Sequence, residues 1–243
     1  MGRVRIFAGP NGSGKTTLNT ELKGKFNLGY YLNADDLCEK VRRDGFIDFD
    51  TFNLTPTTRK LESFVHHHGL YPQLPSKKIS FTLNGSKAEF HKPTNTYEIA
   101  IIADFIRNSL LDTNATFSFE TVFSHPGKID FIKKANQKGY RTYLYFVSTN
   151  SPEINAERVK QRVSEGGHEV PEKKIRDRYR LSLNNLLPAI KLSYRTYIFD
   201  NSGISLKLLA QVTPAKNLNI ETSQLPVWFE EYVLSKVADQ PIG

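Results

Sequence analysis

The sequence predicts an α/β protein: an open, mainly parallel sheet flanked by helices, with an insertion that contains a β-hairpin. Three observations predict it. The chain opens on an apolar run, residues 4–8, which passes into Gly9-Pro10-Asn11-Gly12-Ser13-Gly14-Lys15-Thr16 and then into the helical 17–22. Further short apolar strands, 28–32, 115–119, 143–147 and 197–200, alternate with segments of helical period. Between residues 42 and 96 that rhythm stops. Residues 1–243 therefore read as a single P-loop domain with 42–96 as an insertion within it.

The opening loop matches the Walker A pattern G-x-x-x-x-G-K-[ST], placed between a strand and a helix as the motif requires. Gly9, Gly12 and Gly14 let the backbone curl so that successive N–H groups point at a phosphate oxyanion. Pro10, Asn11 and Ser13 complete the loop, and the helix that starts near Lys15 brings its positive end to the same place. Lys15 supplies a point charge for the β- and γ-phosphates of ATP. The Thr16 hydroxyl is the expected Mg²⁺ ligand, and Thr17 ends the ATP-binding run.

A chain of 243 residues can bury a sizeable core. Its formal charge of +8 favours anionic partners, which suits nucleic acid and equally a site for ATP with a phosphorylated or nucleotide-linked substrate. No apolar run is long enough to span a bilayer. The amino terminus enters the first strand without a signal-peptide pattern, so a cytoplasmic location is expected. Cys38 is the only cysteine, which excludes an intramolecular disulfide and a cysteine-based zinc site. It falls in an expected helix, as a plain buried thiol.

Asn33-Ala34-Asp35-Asp36-Leu37 stands at the carboxyl end of the second strand, where polar groups of open α/β sheets face the ligand crevice. One of Asp35 and Asp36 is a catalytic candidate, and the other is expected to cap the following helix. Beyond residue 42, Asp44-Gly45 and Thr55-Pro56 break the chain, and 71–75 is a proline-marked loop. Residues 79–83 alternate like a strand, and Asn84-Gly85 signals a hairpin turn. His66, His67 and His68 are adjacent, do not share one helix face, and read as a solvated surface rather than a metal site.

Residues 97–111 have the helical period, with Ala100, Ile101, Phe105, Leu110 and Leu111 as core contacts. The strand that follows ends in Glu120. It either holds Mg²⁺ through water, as a Walker-B acid does, or grips substrate hydroxyls; a solvated strand-end glutamate is the plain alternative. Ser124-His125-Pro126-Gly127 opens the next helix, with His125 as a turn residue. After the strand at 143–147, Ser151-Pro152 starts a helix whose Arg158 and Arg162 lie at i and i+4, on one face. Then come Gly166-Gly167-His168-Glu169-Val170-Pro171 and a basic helix with Arg176, Arg178 and Arg180. Two arginine-bearing helices joined by a glycine hinge suit a lid closing over phosphates. Residues 197–203 are expected as the last strand and its turn, and 225–233 as an amphipathic segment packed on the domain.

Taken together, several of these motifs resemble the zeta-toxin family and the wider group of zeta-like P-loop ATPases. They are the run 9–17, Asn33-Ala34-Asp35-Asp36-Leu37, Phe119-Glu120-Thr121-Val122, Arg158-Val159 with Arg162-Val163, the Gly-Gly-His-x-Val-Pro loop, and Asp200-Asn201-Ser202. The resemblance spans nearly all of 3–203 outside the insertion. Zeta toxins are P-loop kinases that phosphorylate the 3′-hydroxyl of the aminosugar in UDP-N-acetylglucosamine and so poison cell-wall synthesis. The resemblance implies that Asp35 is the catalytic base, Glu120 the sugar-gripping glutamate, and Lys15 and Thr16 the ATP–Mg²⁺ residues. Arg162, with Arg158, matches a lid arginine, and Asp36 joins Glu120 on the substrate side. It also implies a toxin–antitoxin setting. Because the chain begins at its first strand, the antitoxin is expected as a separate protein. Where the type toxins carry a threonine and then an arginine that help bind substrate, this chain has Val122 and Ser124, and the insertion has no counterpart in them.

The expected function is ATP-dependent transfer of the γ-phosphoryl group to a hydroxyl of a small anionic metabolite, which the resemblance makes a UDP-sugar. Asp35 orients that hydroxyl and accepts its proton, while Lys15, Mg²⁺, Arg158 and Arg162 stabilise the transferring charge. The expected partners are ATP, the hydroxyl acceptor and a separate antitoxin, with no membrane. Nucleic acid belongs to the alternative, a nucleic-acid-binding ATPase or polynucleotide 5′-kinase, which predicts a basic stripe outside the pocket. A third reading is a regulatory nucleotide-binding module, which needs no base at Asp35.

Overall fold

The computed structural model describes residues 1–75, 78–91, 95–167, 169–239 and 242. In chain order its elements are β1 (Arg3–Ala8), α1 (Lys15–Lys23), β2 (Tyr30–Leu32), α2 (Ala34–Asp44), β3 (Phe46–Asp48), α3 (Thr58–His67), β4 (Phe81–Asn84), β5 (Lys87–Phe90) and α4 (Thr96–Asp112). There follow β6 (Phe117–Thr121), α5 (Gly127–Gln137), β7 (Arg141–Ser148), α6 (Pro152–Ser164), α7 (Glu172–Asn184), α8 (Leu186–Leu192), β8 (Arg195–Asp200), β9 (Lys207–Val212) and β10 (Leu218–Ile220). The chain forms two compact units, one of residues 1–29 with 116–243 and one of residues 30–115.

Strands of the first unit lie in the order β10-β9-β8-β7-β1-β6. β1 runs parallel to β6 on one side and to β7 on the other, so that Ile6 stands opposite both Phe119 and Leu144. β7 pairs in parallel with β8. The sheet is α/β and mainly parallel, as the alternation of strands and helices predicts. It does not stop at β8, however: β9 and β10 extend it antiparallel, which corrects the expectation that 197–203 holds the last strand. β10 has only three residues, all at least partly exposed, so its apolar pattern is too weak to register as a strand.

Both faces of this sheet carry a core. On one, Phe117 and Phe119 meet the ring of Phe131 on α5 edge-on, beside the fully buried Ile6, Leu144 and Phe146. On the other, Phe7, Tyr145 and Val147 pack with Leu18 of α1 and Leu28. The expected carboxyl-terminal packing is present: Trp228, Phe229 and Val233 are buried, with Trp228 against Phe146.

In the second unit, α2 begins behind Asn33, whose side chain accepts a hydrogen bond from the Asp35 N–H at 2.9 Å. The cap expected of Asp35 or Asp36 is therefore Asn33. An amide oxygen two residues earlier reaches that N–H, and both aspartates are left in the first turn, where their charge meets the positive helix end. Cys38 of the same helix is half-buried, and burial pushes its thiol pKa up. The expected hairpin is β4 and β5, paired antiparallel with Phe81 opposite Phe90, and β3 adds to β5 on the other side. α4 starts with a capping box of Asn95 and Glu98. Its Ile101, Phe105, Leu110 and Leu111 are buried as expected, whereas Ala100 is only partly so. Phe105 meets Phe49 and Phe64 edge-on.

The three histidines have separate local roles. His66 packs edge-on against Tyr71, His67 Nδ1 meets the Ser63 carbonyl, and His68 Nε2 meets Asp104 at 3.2 Å. Asp104 also pairs with Arg107, whose burial pulls its pKa down to about 9.

Candidate active site

The site of the first unit is built on the loop between β1 and α1. Gly9 has φ 141°, and a Cβ there would stand 2.0 Å from the Val147 carbonyl oxygen. Gly14 has φ 99°, and its Cβ would stand 2.2 Å from Asn201 Nδ2. Conformation and space both demand glycine. With Gly14 as a left-handed N-cap, α1 starts at Lys15 and leaves its first N–H groups directed toward the loop.

Three of the expected site residues, Lys15, Thr16 and Glu120, come together here. Lys15 Nζ donates to the Gly9 and Pro10 carbonyls at 2.9 and 2.8 Å, which holds the ammonium over the loop. Thr16 Oγ1 donates to Glu120 Oε2 at 2.9 Å. This meeting follows from strand order, because β6 lies beside β1 with Glu120 opposite Phe7 and Thr121 opposite Ala8. A hydroxyl and a carboxylate side by side are the oxygen donors that Mg²⁺ prefers, so the residues present fit that ion. Ser13 is fully buried, while Thr17 is exposed on the first turn of α1.

Other elements brace the loop. Asn155 of α6 donates through Nδ2 to the Asn11 carbonyl and accepts from the Thr149 hydroxyl. Asn201, after β8, donates to the Ser13 carbonyl at 2.8 Å. Its neighbour Asp200 is fixed by the Ser202 hydroxyl at 2.7 Å and by Trp228 Nε1 at 3.0 Å. Tyr179 of α7 donates to the Thr149 carbonyl at 2.6 Å, and burial raises its phenol pKa.

Arg178 of α7 donates through Nη1 to Asn11 Oδ1 at 3.3 Å. The sequence shows a basic helix but not which arginine turns inward. Positions 176 and 180, at i and i+4, share one face of a helix, and 178 lies on the opposite one. Arg176 is engaged with Glu153 and Glu172, and Arg180 with Asp177. Asn155 had no sequence signal beyond being a polar residue in an amphipathic helix.

Arg158 and Arg162, the arginines expected in a lid, lie at neighbouring turns of α6. Arg158 Nη2 donates to the Gly203 carbonyl at 3.4 Å, and its buried Nη1 has no hydrogen-bond partner among the described residues. Arg162 lies against the glycine hinge, where a Cβ on Gly167 would stand 2.8 Å from its Cγ. His168 of that hinge lies outside the described residues. His125 accepts from the Gly127 N–H at 3.1 Å, as a turn residue does. Asp35 and Asp36 belong to the second unit, in the first turn of α2.

No family model matches the chain. Over 63 residues it is 35% identical to an uncharacterized protein of Haemophilus influenzae, a stretch that makes up 26% of this chain and 45% of that protein. The crystal structure of AvrRxo1-ORF1:AvrRxo1-ORF2 with sulphate ions contains a chain that aligns with 96% of this one at a TM-score of 0.57 and 16% identity. The same complex with ATP aligns at a TM-score of 0.57 and 15% identity, again over 96% of this chain. In both, the match covers 63% of the other chain, so this chain spans less than two thirds of its structural relative. The PezAT chromosomal toxin–antitoxin system of Streptococcus pneumoniae aligns at a TM-score of 0.47 and 14% identity, over 96% of this chain and 79% of that one. At these identities the likeness is one of architecture: the chain has an α/β P-loop fold, the one that its zeta-like motifs lead one to expect.

Proposed function

We propose that the protein is a kinase that moves the γ-phosphoryl group of ATP to a hydroxyl on a small anionic metabolite. The observation that carries this reading is the Thr16–Glu120 hydrogen bond beside a glycine loop whose Lys15 ammonium lies over it. A plain anion-binding turn needs the glycines and the helix end. It has no use for a hydroxyl and a carboxylate set together next to them.

In this reading Lys15 neutralises the β- and γ-phosphates, and the guanidinium forks of Arg162 and Arg178, with Arg158, receive the charge that develops on the transferring group. Thr16 and, through water, Glu120 would hold Mg²⁺, which when bound neutralises oxygens of the β- and γ-phosphates. Asp35 accepts the acceptor's proton as the new oxygen–phosphorus bond forms and the bond to the bridging oxygen of ADP breaks. Asp36 orients the acceptor. The family resemblance makes that acceptor a UDP-sugar, with Val122 and Ser124 shaping a pocket different from that of the type toxins.

ATP as donor agrees with the nucleotide in the AvrRxo1 complex of the same fold. That relative was solved together with a second chain, and we extend the parallel to a separate antitoxin for this protein. Among the described residues no helix is long and apolar enough to cross a membrane. A reaction that consumes ATP suits the cytoplasm.

The test is incubation with γ-labelled ATP and a panel of hydroxyl-bearing phosphorylated and nucleotide-linked metabolites, followed by mass spectrometry of labelled products. A single labelled metabolite supports the reading and names the acceptor. Label that remains in ATP, or appears only as inorganic phosphate across the panel, refutes it.

A further inference from the structure

The amino-terminal ends of β1, β7 and β8 carry a second charged surface, which the phosphotransfer reading does not use. Strand alternation places Arg3 and Arg5 of β1, Arg141 of β7 and Arg195 of β8 on one face of the sheet. Arg3 stands opposite Arg141, and Tyr143 stands between Arg5 and Arg195. Among the described residues none of these arginines has a carboxylate partner. Two of them lie on aromatic rings instead: Arg5 is 5.4 Å from the centre of Tyr143, and Arg141 is 4.8 Å from that of Tyr194. Arg195 donates to the Tyr197 hydroxyl at 3.5 Å. Arg5 is only 6% exposed, and its Nε and Nη1 have no hydrogen-bond partner among the described residues. A guanidinium without a counter-charge, buried under a layer of rings, keeps the face above it positive.

Helix cover on this face is partial. Leu18 and Leu22 of α1 reach Phe7 and Tyr145, while Tyr143, Tyr194, Arg195 and Tyr197 stay half-buried and Arg141 exposed. Mainly parallel sheets are normally covered by helices on both faces, and tyrosine with arginine is the composition of binding hot spots.

We infer that this face docks an acidic amphipathic segment of a partner protein. Its apolar side lies on the half-buried tyrosines, and its carboxylates pair with Arg141 and Arg195. The ring geometry favours this occupant over single-stranded nucleic acid. Phe7, Tyr145 and Tyr197 already stack on one another, with centres 5.1 Å apart and planes within 16° and 10°. Guanidinium groups cover Tyr143 and Tyr194. The ring faces on which bases would stack are therefore taken, whereas the guanidinium forks remain open to carboxylates.

The test titrates the full chain into a fluorescein-labelled helical peptide of Glu and Leu in heptads, into its Lys-for-Glu counterpart, and into labelled oligothymidine. The acidic peptide binds, with affinity falling as salt rises, and the basic peptide does not. Arg141→Glu with Arg195→Glu weakens binding by about a hundredfold, roughly tenfold for each charge-assisted contact. Binding of an ATP analogue at the glycine loop and the thermal unfolding midpoint serve as controls for folding. Should the reversal disturb folding, Arg141→Gln with Arg195→Gln removes the charges while keeping much of the bulk. Absence of acidic-peptide binding, or equal binding by wild type and a folded variant, overturns the inference. Oligothymidine binding that these substitutions abolish also overturns it and makes the face a nucleic-acid surface. None of these outcomes depends on whether the protein transfers phosphate.

Discussion

Replacing Glu120 by Gln separates the three roles open to that residue. The change keeps the side-chain length and an oxygen that can accept from Thr16, and it removes one negative charge. A hydrogen bond to an ionised acceptor contributes about 1.5–3 kcal/mol and a neutral one about 0.5–1.5 kcal/mol, so the hydroxyl contact itself weakens by about 1 kcal/mol. Thr16 is exposed and Glu120 half-buried, so solvent screens most of that difference. Folding stability should change by no more than about 0.5 kcal/mol. A divalent ion senses the lost charge more strongly. Two unit charges about 4 Å apart at an effective dielectric near 20 attract by about 4 kcal/mol. If screening leaves a third to a half of this, the Mg²⁺ requirement rises by roughly ten- to thirtyfold. The assay is the phosphotransfer rate as a function of Mg²⁺ concentration, with the acceptor KM measured at saturating metal. The expected result is a displaced Mg²⁺ curve and an acceptor KM that barely moves. An unchanged Mg²⁺ curve with a raised acceptor KM refutes the metal assignment and returns Glu120 to gripping the acceptor. If neither moves, it is a solvated strand-end glutamate.

Lys15→Ala should lower turnover by roughly two orders of magnitude or more, since one preorganised charge on the phosphates is lost; a folded variant with near-normal rate would refute the kinase reading. Asp35→Asn should slow transfer about 10²–10⁴-fold while ATP affinity by calorimetry holds, and Asp36→Asn should act on the acceptor KM alone. Asn33→Ala should cost about 1 kcal/mol in urea unfolding, because Asn33 caps α2; an unchanged midpoint would contradict that geometry. Arg178→Lys should reduce turnover at least about tenfold, because an ammonium cannot replace the planar fork that reaches Asn11, whereas Arg180→Lys should be silent. Equal effects of the two substitutions would show that α7 presents only a diffuse basic face.

What the sequence determined by itself is local. Gly9 and Gly14 sit where the backbone must turn left-handed and where a side chain has no room, so the pattern G-x-x-x-x-G-K-T already specifies the loop and the helix start. The hairpin at Asn84-Gly85 and the period of α4 are likewise properties of neighbours in the chain. The N-cap of α2 was open to confusion even locally, because Asn33, Asp35 and Asp36 are all good capping residues and only the backbone angles of Asn33, φ −129° and ψ 127°, select it. β9 and β10 escape the pattern for different reasons: β9, though six residues long, buries Leu209 and Ala210 side by side without strict alternation, and the edge strand β10 has only three residues. Tertiary structure alone decided which side chains meet the loop. Thr16 and Glu120 are 104 residues apart, Asn11 and Arg178 are 167, and Ser13 and Asn201 are 188. Periodicity marks Arg178 as one of several basic residues on a helix; strand order and helix packing turn it inward. The physical reason is one of range: φ/ψ preference and side-chain period act over a few residues, whereas the partners of a charge are set by whichever distant segments the packed core brings beside it.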